Sequence, residues 1–424
     1  MKPSLPPGYV RRAVLLAGAA LAVMLATPRP SRAAAAPLNE HWTATWGAAP
    51  GDAPQAASTQ AFAGQTLRLV VHTSIGGNRV RVRLSNETGS RPLVIGAAHI
   101  AVRANGADIA PGTDRTLTFN GRPSIAIAQG RALLSDPVEL NVAALSDLAV
   151  SVYLPGSVGL TTAHVAAGQT SYVSLPGDFT GAAGLPTQRT ILSWPLLARV
   201  DVDSAGAAIV ALGGSITEGG RSTPDANNRW PDWLARRLLD ARDPGLKLGV
   251  VNLAVAGSRL LADPLASPQS TSTALERLDR DVLATSGVRY LVVLLGIDDI
   301  ANGPDDHPAA ARELIAAYGQ LVARAHEKGI AIIGATLPPF EGARSWSPAR
   351  DLVRAQLNTW IRSSDEFDGL VDFDAELRDS MHLARLLPAY DSGDHLHPND
   401  LGYQAMANAV PLELFRSLGA GVHR

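Results

Sequence analysis

The hydrophobic pattern changes period partway along the chain. From Trp42 to about Val200, apolar residues recur at every second position in short runs. Val80, Val82 and Leu84 alternate with Arg81 and Arg83, and Leu148, Val150 and Val152 form another such run. Gly76-Gly77-Asn78, Asn105-Gly106, Asn120-Gly121 and Pro155-Gly156 punctuate the region. Period-two runs separated by Gly, Pro and Asn turns predict an antiparallel β-sandwich. On this reading Arg79, Arg81 and Arg83 line the solvated face of a strand, and the scattered His72, His99 and His164 are structural or surface residues.

Between Val202 and Gly206 the pattern switches. Continuous apolar runs now alternate with helical spacing. The runs are Ile209–Leu212, Val250–Leu253, Tyr290–Leu295, Ile330–Gly334 and Leu370–Phe373. Helical patterns fall at Trp230–Leu239, Leu275–Leu283, Ala309–His326, Ala349–Ile361 and Leu401–Phe415. Strands that alternate with helices predict a parallel sheet covered on both faces. The chain therefore divides into a β domain over residues 38–202 and an α/β domain over 203–424. In such sheets ligands sit beyond the carboxyl ends of the strands. Ser215, Gly257 and Asp298 each follow an apolar run at that edge, and His397 lies on a loop before the last helical stretch.

The 424 residues are 46% hydrophobic, enough for a sizeable core. A formal net charge of −2 argues against a nucleic-acid binder. The absence of cysteine excludes disulfides, a thiolate nucleophile and cysteine-ligated zinc. Arg11-Arg12, an apolar run from Ala13 to Ala26 and the small residues Ser31 to Ala36 follow the order of a secretory leader, which predicts a signal peptide over residues 1–35. That run is short for a membrane span, and the arginine pair permits the twin-arginine route. The expected location is secreted or periplasmic, without stable membrane insertion once the leader is cleaved.

The candidate chemistry begins at Ile209-Val-Ala-Leu-Gly-Gly-Ser-Ile-Thr-Glu-Gly219, where a buried strand breaks at two glycines and presents Ser215 at the bend. Alone, this stretch reads equally as an ordinary Gly-Ser loop. At the far end of the chain, Asp394-His-Leu-His-Pro-Asn-Asp400 precedes the last helical stretch. A serine nucleophile needs a base, and the base needs a carboxylate to fix its tautomer. Ser215, His397 and Asp394 supply those roles. Asp394 and His397 are three residues apart and face one side of a tight turn; His395 points away and is the second choice. A different reading gathers Asp394, His395 and His397 around a cation, and needs further ligands.

Four blocks together resemble the SGNH or GDSL hydrolase superfamily: Gly213-Gly-Ser-Ile-Thr217, Val251-Asn-Leu-Ala-Val-Ala-Gly-Ser258, Gly296-Ile-Asp-Asp299 and Asp394-His-Leu-His-Pro398. Asn228-Arg-Trp-Pro-Asp232 and Gly334-Ala-Thr-Leu-Pro-Pro-Phe340 extend the resemblance to secreted bacterial members with a β-rich domain before the hydrolase domain. The resemblance implies a flavodoxin-like three-layer α/β/α domain behind an antiparallel, jelly-roll-like β-sandwich. It also implies metal-free ester hydrolysis with no cofactor. Ser215 matches the nucleophile, His397 the base and Asp394 its partner. The amides of Ser215 and Gly257 match oxyanion donors, and Asp298 stands where the family has an asparagine donor. Gly214 stands in place of an aspartate, and Ser258 in place of a frequent asparagine.

An ionised Asp298 accepts hydrogen bonds but cannot donate them. It is then either protonated and a donor, or turned towards a cation, or the mark of a degraded site. The expected function is a secreted serine esterase for short acyl or acetylated-carbohydrate esters. Acyl transfer with the same triad, or glycan binding on a weakened hydrolase scaffold, are the alternatives.

Overall fold

The alternating segments fold into two main antiparallel sheets over a common core. In chain order the strands are β1 (Trp42–Gly47), β2 (Ala61–His72), β3 (Gly77–Asn86), β4 (Ala97–Val102), β5 (Val138–Val142), β6 (Asp147–Gly159), β7 (Thr162–His164), β8 (Ser171–Pro176) and β9 (Leu197–Asp203). One sheet runs β1-β9-β3-β5, and the other contains β8-β2-β6-β4. Their inward residues follow the period-two pattern: Leu67, Leu69, Val80, Val82, Leu84, Val150 and Val152 are all fully buried. The computed structural model describes residues 41–52, 61–159, 162–261, 272–302 and 307–421. The expected signal peptide lies outside them.

The arginines of β3 depart from the expected solvated face. The side chains of Arg79, Arg81 and Arg83 are only 17%, 19% and 18% exposed. Arg81 stacks over Trp42 at 4.4 Å, pairs with the buried Asp201 at 3.0 Å and donates to Ser286 at 3.1 Å. Arg83 pairs with Glu87, and Arg79 lies near Glu139 and Asp203. The reason is tertiary: Trp42 packs over Arg79 and Arg81, and Ser286, which lies just before a strand of the α/β half, meets Arg81. The alternating pattern marks which side is polar, and cannot tell water from a polar neighbour.

Beyond Gly206 the chain forms a parallel sheet of β10 (Ala207–Gly213), β11 (Leu248–Asn252), β12 (Val288–Leu294), β13 (Ala331–Ala335) and β14 (Gly369–Val371). The order is β11-β10-β12-β13-β14, that is 2-1-3-4-5, the flavodoxin-like order. Ile209, Val210, Leu291, Val292, Ile332 and Ile333 are fully buried, as strands covered on both faces require. The helices are α1 (Ser215–Glu218), α2 (Trp230–Asp240), α3 (Ala274–Leu278), α4 (Ile297–Asn302), α5 (His307–His326), α6 (Pro348–Ser363), α7 (Phe373–Leu377), α8 (Asp400–Ala409) and α9 (Glu413–Gly421). One group pairs α2 and α7 with α8, and another pairs α3 and α6 with α5. The single helical stretch expected over Leu401–Phe415 is two helices. Pro411 disfavours helical geometry at the preceding residue, and Val410 is extended at φ −75, ψ 112. No described helix is long and apolar enough to cross a membrane.

Residues His41–Arg424 form one compact unit, in which β1 lies against β10 and β11. The Ala44 amide donates to the Ser286 carbonyl at 2.9 Å, and the Val250 amide donates to the Ser74 hydroxyl at 2.9 Å. A Cβ at Gly249 would lie 2.4 Å from the Ala44 carbonyl oxygen, so this approach requires glycine. The strand β10, which leads into Ser215, is thus set between its sheet partners and directly behind the β-rich half.

Candidate active site

β10 ends at Gly213, and Ser215 begins the single-turn helix α1, with Gly214 as its N-cap. The turn is closed by the amides of Gly219 and Gly220, which both donate to the Ser215 carbonyl, at 3.0 and 2.8 Å. Asn252, at the end of β11, donates to the Thr217 carbonyl at 2.7 Å, and Tyr403 of α8 donates to the Gly220 carbonyl at 2.6 Å. The serine therefore sits at the carboxyl edge of the sheet on a short, well-braced turn.

Across from it, the loop before α8 carries Asp394 and His397. His397 Nε2 lies 2.9 Å from Ser215 Oγ, and its Nδ1 lies 2.8 Å from Asp394 Oδ2. The amides of Leu396 and His397 donate to the other oxygen of Asp394, at 3.1 and 2.9 Å. Burial alone would raise the Asp394 carboxyl. The hydrogen bonds from the His397 amide, the His397 ring and the Leu396 amide outweigh it and hold the group well below the usual carboxylate range. A carboxylate at Nδ1 fixes the proton there and leaves Nε2 to accept from the serine hydroxyl.

His395 turns elsewhere. It has φ +62, is half exposed and places Nδ1 2.5 Å from Asp391. The cluster of Asp394, His395 and His397 considered for a cation is therefore not assembled. Among the described residues no group of three or more His, Cys, Asp and Glu is arranged to hold a metal ion.

The expected oxyanion donors sit on two turns. The Ser215 amide opens a helix and has no intrahelical acceptor. Gly257, at φ +75, lies on the loop after β11. That loop is pinned on several sides. The Val255 amide donates to the Gly213 carbonyl at 3.1 Å, and Leu260 and Leu261 donate to the buried Asp299. Ser258 accepts from the buried Arg277 at 2.8 Å. Asp298 places its carboxylate against the Ser215 turn, beside Gly214. Burial, together with neighbouring Asp299 and Glu218 and against the pull of Arg259, pushes the Asp298 carboxyl up to about 6.

Sequence reasoning missed three neighbours of the site. Arg221, 64% exposed, donates to the same Asp394 oxygen that His397 touches, at 3.0 Å. Glu218, on the Ser215 turn, is buried against His164 at 3.2 Å. Tyr403 braces the turn from α8. Only Glu218 carried a signal, as an acidic residue three positions after Ser215 on the same turn.

Residues 211–405 match the GDSL-like Lipase/Acylhydrolase family. That segment, somewhat under half of the chain, has the sequence of a GDSL-like acylhydrolase domain, which supports a carboxylic ester hydrolase of the GDSL/SGNH superfamily. Solved structures similar to it include an acetylxylan esterase from Geobacillus stearothermophilus, at 21% identity and TM-score 0.35, covering 48% of this chain and 93% of that one. A GDSL-like lipase from Bacteroides thetaiotaomicron matches at 17% identity and TM-score 0.35, covering 50% and 88%. An α/β hydrolase from the Lake Arreo metagenome matches at 23% identity and TM-score 0.35, covering 49% and 94%. Comparison with curated proteins finds no match.

Proposed function

We propose that the chain is a secreted serine esterase acting through an acyl-enzyme on Ser215. The observation that carries this reading is the continuous relay from Asp394 to His397 to Ser215, at 2.8 and 2.9 Å. Ser215 Oγ attacks the ester carbonyl carbon while His397 Nε2 takes the hydroxyl proton. The ester C–O bond breaks, and His397 returns the proton to the departing alkoxide, releasing the alcohol. Water then attacks the acyl-enzyme with His397 again as base, and the acid leaves. The amides of Ser215 and Gly257 donate to the oxyanion, and Asp298 joins them in its protonated form.

Short acyl esters or acetylated carbohydrates suit a chain whose four sequence blocks adjoin no long apolar segment. The leader-like order of residues 11–36 supports export. The test is fluorophosphonate labelling and hydrolysis of 4-nitrophenyl esters of increasing acyl length. Both are expected in the parent and absent from a folded Ser215→Ala protein. A folded parent that takes no label is a binding protein on a hydrolase scaffold, and label without hydrolysis but with acyl transfer to a sugar makes it a transferase.

A further inference from the structure

Residues 219–229 join α1 to α2, and this loop is gripped from two sides. On one side is the antiparallel half, through residues 168–170 between β7 and β8. The Asp225 amide donates to the Gly168 carbonyl at 2.9 Å. One oxygen of the Asp225 carboxylate accepts from the Gln169 side chain at 2.7 Å and the Thr170 amide at 2.5 Å, and the other accepts from the Thr170 hydroxyl at 2.6 Å. On the other side is the segment that carries His397. The His397 ring lies on Gly220, where a Cβ would come within 2.9 Å of Cδ2. The Thr223 amide and the Asn228 side chain donate to the two oxygens of Asp400, each at 2.9 Å. Asp400 opens α8, just beyond His397 and Pro398.

The loop does not hold its shape by local preference. Arg221, Asp225 and Asn227 have φ +69, +63 and +52. Aspartate and asparagine tolerate this left-handed region better than arginine does, and side chains stay there only where surrounding contacts over-determine the backbone. Here those contacts are the grip on Asp225 and the pair of bonds to Asp400. We propose that Asp225 is a positioning residue for ester hydrolysis. Held by Gly168, Gln169 and Thr170, it fixes the loop, and the fixed loop keeps Gly220 and Asp400 where they hold the His397 ring in line with Ser215. The inference rests on the esterase reading. The antiparallel half thereby acts on the base through a loop of the other half.

The test uses the full chain with Asp225→Gly, Asp225→Asn and the pair Gln169→Leu with Thr170→Val. Glycine accepts φ +63 without strain and removes only the carboxylate, whereas asparagine keeps an acceptor oxygen and the shape. Fluorophosphonate titration counts working sites, amide exchange is followed at Thr223, and urea midpoints are read alongside. In Asp225→Gly and in the paired variant, turnover per titrated site is expected to fall about tenfold or more with KM within about twofold, as for a misplaced base. Exchange at Thr223 is expected to quicken by about tenfold or more, the mark of a loosened loop. Asp225→Asn is expected to recover most of both. Turnover per site unchanged from an active parent in either loss variant, or a loss confined to the urea midpoint or to the number of titratable sites, would overturn the inference alone. So would a loss that Asp225→Asn shares in full, because charge and not grip would then be its cause. A parent that hydrolyses no ester overturns the esterase reading and this inference with it.

Discussion

The carboxylate of Asp298 lies 2.6 Å from the point at which Gly214 would carry a Cβ. Two of the three departures from the resembled pattern, Gly214 and Asp298, are thus one rearrangement, in which a carboxylate on α4 occupies the space that a side chain at 214 would fill. Restoring only the aspartate crowds two carboxylates on one turn. Gly214→Asp is expected to lose activity, and Gly214→Asp with Asp298→Asn to regain much of it. A double-mutant cycle on kcat/KM is expected to give a coupling of about 1 kcal/mol or more, within the range for groups in contact. Additive effects would show that the residues act separately.

Asp298 also sets a pH dependence. Its acid form is favoured in the folded chain, with ionisation moved from the ordinary 3.8 to about 6. Between those values the folded state holds a proton that the unfolded state has lost, so stability falls as pH rises through this window and stays lowered above it. Relative to Asp298→Asn, the parent is expected to lose stability as pH rises from about 4 to about 6, and to lose turnover as pH rises through about 6. Urea midpoints and ester hydrolysis for the two proteins across that range decide it; parallel curves would mean that Asp298 keeps one charge state throughout.

For the relay itself, Asp394→Asn keeps the size of the side chain but not the charge that fixes the histidine tautomer. Turnover is expected to fall about 10⁴-fold with a small change in KM. Arg221→Ala removes a partner that is 64% exposed, and an exposed pair contributes little. Its effect is expected to stay within about threefold and to shrink with added salt. Steady-state kinetics at two ionic strengths separates the two roles.

Asp201 is fully buried and accepts from Arg81 at 3.0 Å, Arg199 at 2.8 Å and Ser286 at 2.8 Å. Removing the carboxylate leaves two guanidinium groups facing each other under cover. Asp201→Ala is expected to cost about 3–5 kcal/mol in a urea titration, the penalty for orphaning buried charge. A loss under about 1 kcal/mol would mean that water reaches these arginines.

The sequence made the parallel sheet legible because strands buried on both faces leave continuous apolar runs, as at Ile209–Leu212. Ser215, His397 and Asp394 were legible because each sits beside a turn with its own signature. His395 was separable from His397 by local geometry, since three residues on a tight turn share a side and one does not. Long-range contacts were not legible. Nothing in the period of Arg79, Arg81 and Arg83 says that Ser286, some 200 residues away, meets Arg81. His164 carries no local sign of Glu218. The break at Val410 was written in Pro411, and the apolar spacing on either side concealed it.

The contact of Ala44 on Gly249 limits what can be inherited separately. A gene fragment encoding only residues 203–424 would strip the partner from the Ser286 carbonyl and the Val250 amide, and uncover the backbone at Gly249. A foreign β-rich partner would have to bring a strand able to lie within van der Waals reach of a bare glycine. The hydrolase half is therefore not self-contained: its backbone at Ser286, Val250 and Gly249 is completed by residues of the other half.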